Sequence, residues 1–189
     1  MTALNVAILW HMHQPDYRDP VSGRTLMPWT YLHAVKDYAE MLRTAAEVPG
    51  ARMTFNLVPT MIEQLERYAS GTAQDVWLDA ARQDPATMGP DERSFLLRQF
   101  FSVHADRHIL PYPRYRQLAK HRGSASQPDA ASFSDQDLRD LQVWFLLAWS
   151  GYHLRREQPL LQRLLQQGEN FAEADKHGLL TIYDQVVAE

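Results

Sequence analysis

The sequence contains no cysteine, and this absence excludes three kinds of chemistry at once. Disulfide bonds, thiol nucleophiles and thiolate metal sites all require that residue. A chain without cysteine suits a reducing compartment, and we expect a cytoplasmic location. The first ten residues show no basic segment followed by an apolar core and a small-residue cleavage site, so we also expect no signal peptide.

Long apolar runs and long runs of one charge sign are also missing. No apolar stretch approaches the roughly 20 residues that cross a bilayer, and the formal net charge is only −4. We therefore expect neither a membrane nor a nucleic acid as a partner. What remains is a chain of 189 residues, 45% of them hydrophobic, which is enough for one domain with a substantial core.

The chain is organised around residues 4–15, an apolar run that leads into two histidines and ends at a proline. A short, nearly continuous apolar run is typical of a strand buried on both faces of a parallel sheet, and we expect this strand over residues 4–10. Because side chains alternate along an extended chain, His11 and His13 should point the same way. Chemistry in parallel α/β folds sits at the carboxyl ends of strands, so these histidines form a candidate site.

A second short apolar run covers residues 52–57 and is ended by Pro59, with a helical pattern between the two runs. Strand, helix and strand in this order form a βαβ unit, so the two strands should be parallel neighbours. Asn56 then falls at the same end of the sheet as the histidines. Trp29, in the segment after the first strand, is expected near enough to offer a stacking face to a ligand.

The rest of the chain has helical periodicity broken by proline and glycine, with no strand-like run. We therefore separate a βαβ part, residues 1–71, from a helical subdomain, residues 72–189. Only residues 179–183 have a composition that would also suit an extended chain. Capping-box spacing predicts helix starts at three pairs: Thr60 with Glu63, Ser134 with Asp137, and Asn170 with Glu173.

Two blocks of this sequence resemble glycoside hydrolase family 57. The block from His11 to Pro15 resembles the family's first motif, which is built around His-Gln-Pro at the end of the first barrel strand. Residues 27–38, followed by residues 54–59, are similar to its amylase-like and amylopullulanase-like members. The resemblance is dense over residues 5–70 and looser beyond them. It implies an α/β fold, the first βαβ part of an incomplete (β/α)7 barrel followed by a mainly helical insert.

The resemblance also implies a function, a hydrolase or transglycosidase that acts on α-glucans such as starch or glycogen by a retaining mechanism, without a metal or other cofactor. It implies that His11 and His13 line the sugar subsite, and we place Gln14, Trp29 and Asn56 among the substrate-binding residues.

The family's nucleophilic glutamate and acid/base aspartate follow later strands, so the resemblance assigns no catalytic residue here. We expect the chain to need the remainder of a catalytic domain and to be inactive alone. The carboxylates near the two strands are interpreted as loop, helix-surface or capping residues; they are Asp16, Asp19, Asp37 and Glu63.

Two other hypotheses stay open. A His-x-His pair at a strand end can also bind zinc, which would make the chain part of a metal-dependent hydrolase. A catalytic zinc site needs three protein ligands, and only two are visible, because the other histidines lie in helical or linker patterns. The second alternative is a non-catalytic fragment that binds glucan or nothing.

Overall fold

A computed structural model describes residues 6–189, which form two short strands and a mostly helical body. In chain order the elements are β1 (Leu9–Met12), α1 (Trp29–His33), a π-helical segment (Ala34–Tyr38), α2 (Ala39–Ala46), β2 (Thr54–Leu57), α3 (Pro59–Ala69), α4 (Val76–Arg82), α5 (Pro90–Gln99), α6 (Ala105–His108), α7 (Pro113–Arg122), α8 (Asp135–Ala148), α9 (Tyr152–Glu157), α10 (Pro159–Gln167) and α11 (Glu173–Ala188). Among these residues, no helix combines the length and apolarity needed to cross a membrane.

The two strands are parallel neighbours, as the βαβ pattern predicts. β2 lies within the predicted residues 52–57, whereas β1 begins later than expected and includes His11. Residues 4 and 5 of the predicted strand lie outside the described residues. The length of β1 is limited by the strand it pairs with, because each of the four residues of β2 lies opposite one residue of β1. His11 therefore faces Asn56 across the sheet.

The expectation that β1 is buried on both faces is wrong. Met12 is buried, and the ring of Trp10 packs edge-on against Phe55 with 5.3 Å between centroids. On the other face of the sheet, His11 and Asn56 are exposed. Apolar periodicity detects the strand but does not show whether another layer covers each face. Here the face with His11 and Asn56 is open, and the face with Met12 is covered only in part, because Leu57 on that face is exposed.

The helical body has one continuous core centred on α8, in which ten of fourteen residues are buried. Residues 72–189 contain no strand, and residues 179–183 lie within α11, so the prediction of a helical second part is confirmed. Side chains of α1 join the same core, including Tyr31 and Leu32. The core therefore continues across residue 71.

Of the three predicted capping boxes, the one at Ser134 is confirmed. The Ser134 hydroxyl accepts a hydrogen bond from the amide of Asp137 at 3.1 Å, and the Asp137 carboxylate accepts from the amide of Ser134 at 2.8 Å. This reciprocal pair starts α8, the central helix of the core.

The other two predicted boxes are wrong. α3 starts at Pro59, which fits the first helical position because it has no N–H to satisfy. Thr60 is thereby free to donate its hydroxyl to the carbonyl of Gln14 at 2.9 Å instead of capping with Glu63. Asn170 has a left-handed backbone with φ of 58°, which a capping residue does not adopt, and α11 instead starts after Ala172.

A buried histidine joins α2 to α9. The ring of His153 contacts Glu40 at 2.6 Å and Glu47 at 2.8 Å, and these hydrogen bonds raise the pKa of His153. Glu40 also accepts from the backbone amide of His153 at 2.9 Å. Gly151 makes this close approach possible, because a Cβ atom there would overlap the carboxyl group of Glu40.

We predict that Gly151→Ala destabilises the protein by about 1 to 3 kcal/mol, because overpacking displaces Glu40 from its contacts with α9. Gly89→Ala is the matched control, since both glycines precede a helix with extended backbone, with φ of −72° and −75°. A Cβ at Gly89 would meet its nearest atom at 3.8 Å. Urea unfolding measures both variants, and equal losses would contradict the proposed overlap.

Candidate functional site

The predicted site residues at the ends of the two strands do come together. His11 pairs with Asn56 across the sheet, and the rings of His11 and His13 stack with 5.8 Å between centroids and 19° between planes. All three side chains are exposed. We call these three residues the strand-end patch, an open polar surface with two imidazoles and one amide on the same face of the sheet.

The side chain of Gln14 is buried, unlike the exposed side chains of the patch. Its Oε1 accepts a hydrogen bond from the Tyr17 hydroxyl at 2.7 Å, and its Nε2 donates to the Tyr38 hydroxyl at 2.7 Å. Burial raises the pKa of both phenols, so they remain protonated at neutral pH. The geometry therefore suits Gln14 to fixing the chain after His13, and direct contact with a ligand stays a prediction.

Gln64, on α3, holds this turn against α1 and was missed by sequence reasoning. Its buried amide donates to the carbonyl of Pro15 at 2.9 Å. Its Oε1 accepts from the hydroxyl of Thr30 at 3.1 Å and, more weakly, from the amide of Tyr17 at 3.4 Å. These partners lie 34 to 49 positions away in the sequence, so no local motif could have identified the residue.

Trp29 does not join the strand-end patch in the described contacts. Its ring lies 5.5 Å from Trp77 and 5.5 Å from Trp149, at the start of α1. Trp149 in turn meets the ring of His33 at 5.3 Å. Trp29 is therefore part of an aromatic group beside α1. The described contacts do not place its ring next to His11 or His13, so they do not favour stacking of Trp29 on a sugar held by these histidines.

A chain of contacts connects this aromatic group to the turn after β1. His33 stacks on Tyr38 with 6.2 Å between ring centroids, and Tyr38 accepts the hydrogen bond from Gln14. Tyr38 closes the π-helical segment, and π-helical turns occur often at functional sites. Sequence periodicity placed these residues on an ordinary helix and so gave no signal for the link.

The carboxylates nearest the patch in sequence serve local contacts. Arg18 binds Asp16 with its Nε at 2.9 Å and also pairs with Glu63 at 2.8 Å. The hydrogen bond from Arg18 lowers the pKa of Asp16, so this carboxyl carries no proton near neutral pH and is unsuited to acid catalysis. Asp37 contacts His33 at 2.5 Å. Asp19 accepts from the amides of Val21 and Ser22 in a turn.

The strand-end patch is a surface rather than a closed pocket. Three cavities of about 300 to 340 Å³ lie among the helices, and none of these three is lined by a residue of the patch. Within residues 6–189, no group of three or more histidine, aspartate or glutamate side chains is arranged to hold a metal ion.

Comparison with known proteins identifies the family. The family model described as Glycosyl hydrolase family 57 matches residues 7–185, which include both strands, the patch and most of α11. The chain belongs to glycosyl hydrolase family 57. No significant match was found among curated proteins or among solved structures. The family match extends the resemblance of the two N-terminal blocks through nearly the whole helical part.

We predict that Gln64→Leu destabilises the protein by about 2 kcal/mol, because leucine leaves the Pro15 carbonyl and the Thr30 hydroxyl without a buried partner. Gln185→Leu, at an exposed position on α11, is the control for the same chemical change. Urea unfolding measures stability, and hydrogen exchange at the Tyr17 amide measures local opening. Unchanged stability in Gln64→Leu would contradict the role assigned to this side chain.

Proposed function

We propose that this family 57 chain forms the first βαβ part of the catalytic barrel of a glycoside hydrolase or transglycosidase that acts on α-glucans by a retaining mechanism. Residues 1–71 are the proposed βαβ part of an incomplete (β/α)7 barrel, and residues 72–189 are a helical subdomain built on the same core. The observation that carries the proposal is the convergence of His11, His13 and Asn56 at the end of two parallel strands.

The chemistry of the patch suits a sugar. Imidazole and amide groups offer both donors and acceptors, which matches the hydroxyl groups of a glucose unit. Exposure of all three side chains leaves these groups free for a ligand. We propose that His11 and His13 contact the glucose unit next to the scissile bond and that Asn56 contacts the same unit.

Two further residues take supporting roles in this proposal. Gln14, held between two tyrosine hydroxyls, orients the backbone that carries His13. Trp29 is half-buried in the aromatic group of α1 and is proposed to stack on a glucose unit farther along the polymer.

We propose that the catalytic carboxylates are not among the residues beside the strand-end patch. Retaining hydrolysis needs two carboxyl groups about 5 Å apart, one as nucleophile and one as acid/base. The carboxylates beside the patch are instead engaged by Arg18 and His33. The patch would then orient the sugar, and the bond would be broken by groups on another part of the catalytic domain.

Binding of a linear α-1,4-linked glucose oligosaccharide tests the proposed role of the patch. We expect its addition to shift the imidazole NMR signals of His11 and His13, and His13→Ala to weaken binding by about tenfold through loss of a polar contact. His177→Ala, at an exposed site on α11, should bind as tightly as the unmodified chain. A β-linked glucose oligosaccharide controls for linkage. Equal binding by His13→Ala would overturn the assignment.

A turnover assay tests the proposal that the patch orients the sugar while carboxylates elsewhere break the glycosidic bond. We expect the 189-residue chain to release no reducing sugar from starch, because the first step of retaining catalysis needs a carboxylate nucleophile aimed at the anomeric carbon. The matched samples are the unmodified chain and variants in which Asp16 or Glu63 is changed to its amide. Substantial activity that one of these changes abolishes would place a catalytic carboxylate within this chain.

A further inference from the structure

One of the three cavities among the helices has a polar wall whose side chains are joined to one another by hydrogen bonds. Its volume is about 340 Å³, and it lies where α1, α3, α4 and α11 meet. No residue of the strand-end patch lines it. The polar side chains of its wall are Tyr31, Tyr68, Asp75, Asp79, Arg82 and Asp184.

The inner part of the cavity is built from two carboxylate and phenol pairs. Asp75 is buried and accepts the Tyr68 hydroxyl at 2.6 Å, in addition to two backbone amides at the start of α4. Tyr31 is also buried and donates its hydroxyl to Asp184 at 2.8 Å. Burial raises the pKa of both phenols, so they keep these protons at neutral pH. Because the Tyr31 proton is given to Asp184, the phenol oxygen of Tyr31 can accept a hydrogen bond from a ligand.

The opening of the cavity carries an ion pair that reaches solvent. One terminal nitrogen of Arg82 donates to both carboxylate oxygens of Asp184, at 2.9 and 3.0 Å. The two side chains are 43% and 46% exposed. A guanidinium group has five N–H donors, so Arg82 keeps donors for a ligand after this pair has formed.

The charges around the cavity are already paired or hydrogen-bonded. Arg82 compensates Asp184, and Arg24 pairs with the exposed Asp79 at 2.8 Å. Burial raises the pKa of Asp75, the third carboxylate, and its three hydrogen bonds stabilise the ionised form. An anion would meet these carboxylates, and a cation would find them occupied. The wall therefore suits a neutral ligand that both donates and accepts hydrogen bonds.

We propose that this cavity binds one neutral hexose. The Arg82 guanidinium donates to sugar hydroxyl groups, and the oxygens of Asp184 and Tyr31 accept from them. The volume of about 340 Å³ is at the small end of the range for ligand pockets, roughly 300 to 1,000 Å³, which suits a single sugar ring. Tyr68 is partly exposed and supplies aromatic carbon against which the apolar side of the ring packs. This site is separate from the strand-end patch and does not depend on the proposed function.

Titration with glucose tests the ligand class. We expect glucose to shift the ring NMR signals of Tyr31 and Tyr68, whereas the imidazole signals of His11 and His13 report separately on the strand-end patch. Glucose 6-phosphate should bind at least about tenfold more weakly, because its charge would lie beside carboxylates. The proposal is overturned if glucose moves neither tyrosine signal, or if glucose 6-phosphate or glucosamine, which carries an ammonium group, binds more tightly than glucose.

A variant that fills the cavity gives a matched test. Ala69 lines the cavity as the last residue of α3, and Ala69→Leu should weaken glucose binding at the tyrosine signals by at least about tenfold, because the larger side chain takes up space in the cavity. Ala46→Leu is the control and should bind as before. Ala46 is likewise exposed and likewise ends a helix, α2, but it does not line the cavity.

A second variant tests the proposed donor. Arg82→Gln should weaken glucose binding by at least about tenfold through loss of the guanidinium donors, while thermal unfolding stays cooperative because the ion pair is largely exposed. Arg98→Gln, at an exposed arginine on α5, makes the same chemical change away from the cavity and should bind as before. Unchanged glucose binding in both Ala69→Leu and Arg82→Gln would overturn the assignment.

Discussion

The parallel pairing of β1 with β2 is the constraint on which the candidate site depends. A parallel pair needs a crossover connection, and α1, the π-helical segment and α2 supply it. The register places His11 beside Asn56, and one residue of slip would send these side chains to opposite faces. Among the described residues the sheet has two strands joined at four paired positions, so the position of the strands must also be held from outside the sheet.

Buried polar side chains provide that external support. Gln64 holds the turn after β1 against α1, and Gln14 is fixed between Tyr17 and Tyr38. The same device recurs deeper in the helical body, where the fully buried Asp140 accepts from the Arg114 guanidinium at 2.7 Å. Breaking one member of such a network leaves a partner buried and unpaired, which costs more than the bond itself contributes.

Local patterns in the sequence were sufficient to predict the helices and strands, but not which parts of the chain pack against them. The βαβ unit, the helical second part and the cap at Ser134 follow from periodicity and spacing within a few residues. The exposure of β1 did not follow, because burial depends on which layer covers each face of a sheet. Thr60 fails as a cap for a related reason, since its hydroxyl is taken by a carbonyl 46 positions away.

The same limit applies to the candidate site. His11, His13 and Asn56 could be grouped because all three lie at strand ends, whereas Gln64 and Trp149 carry no local signal and depend on contacts with distant segments. Trp29 was named for its aromatic ring, and only the fold reveals that the ring packs on two other tryptophans. For side chains on helices such as these, periodicity predicts the helix but not the distant residues that each side chain contacts.

The central claim is that the strand-end patch is a sugar-binding surface. A crystal structure of the chain with a bound α-1,4-linked glucose tetrasaccharide tests this claim most directly. The account predicts a glucose unit within hydrogen-bond distance of His11 or His13, with Asn56 on the same unit. A sugar bound instead in the cavity of about 340 Å³ lined by Tyr68 and Arg82, with the patch left free, would contradict it.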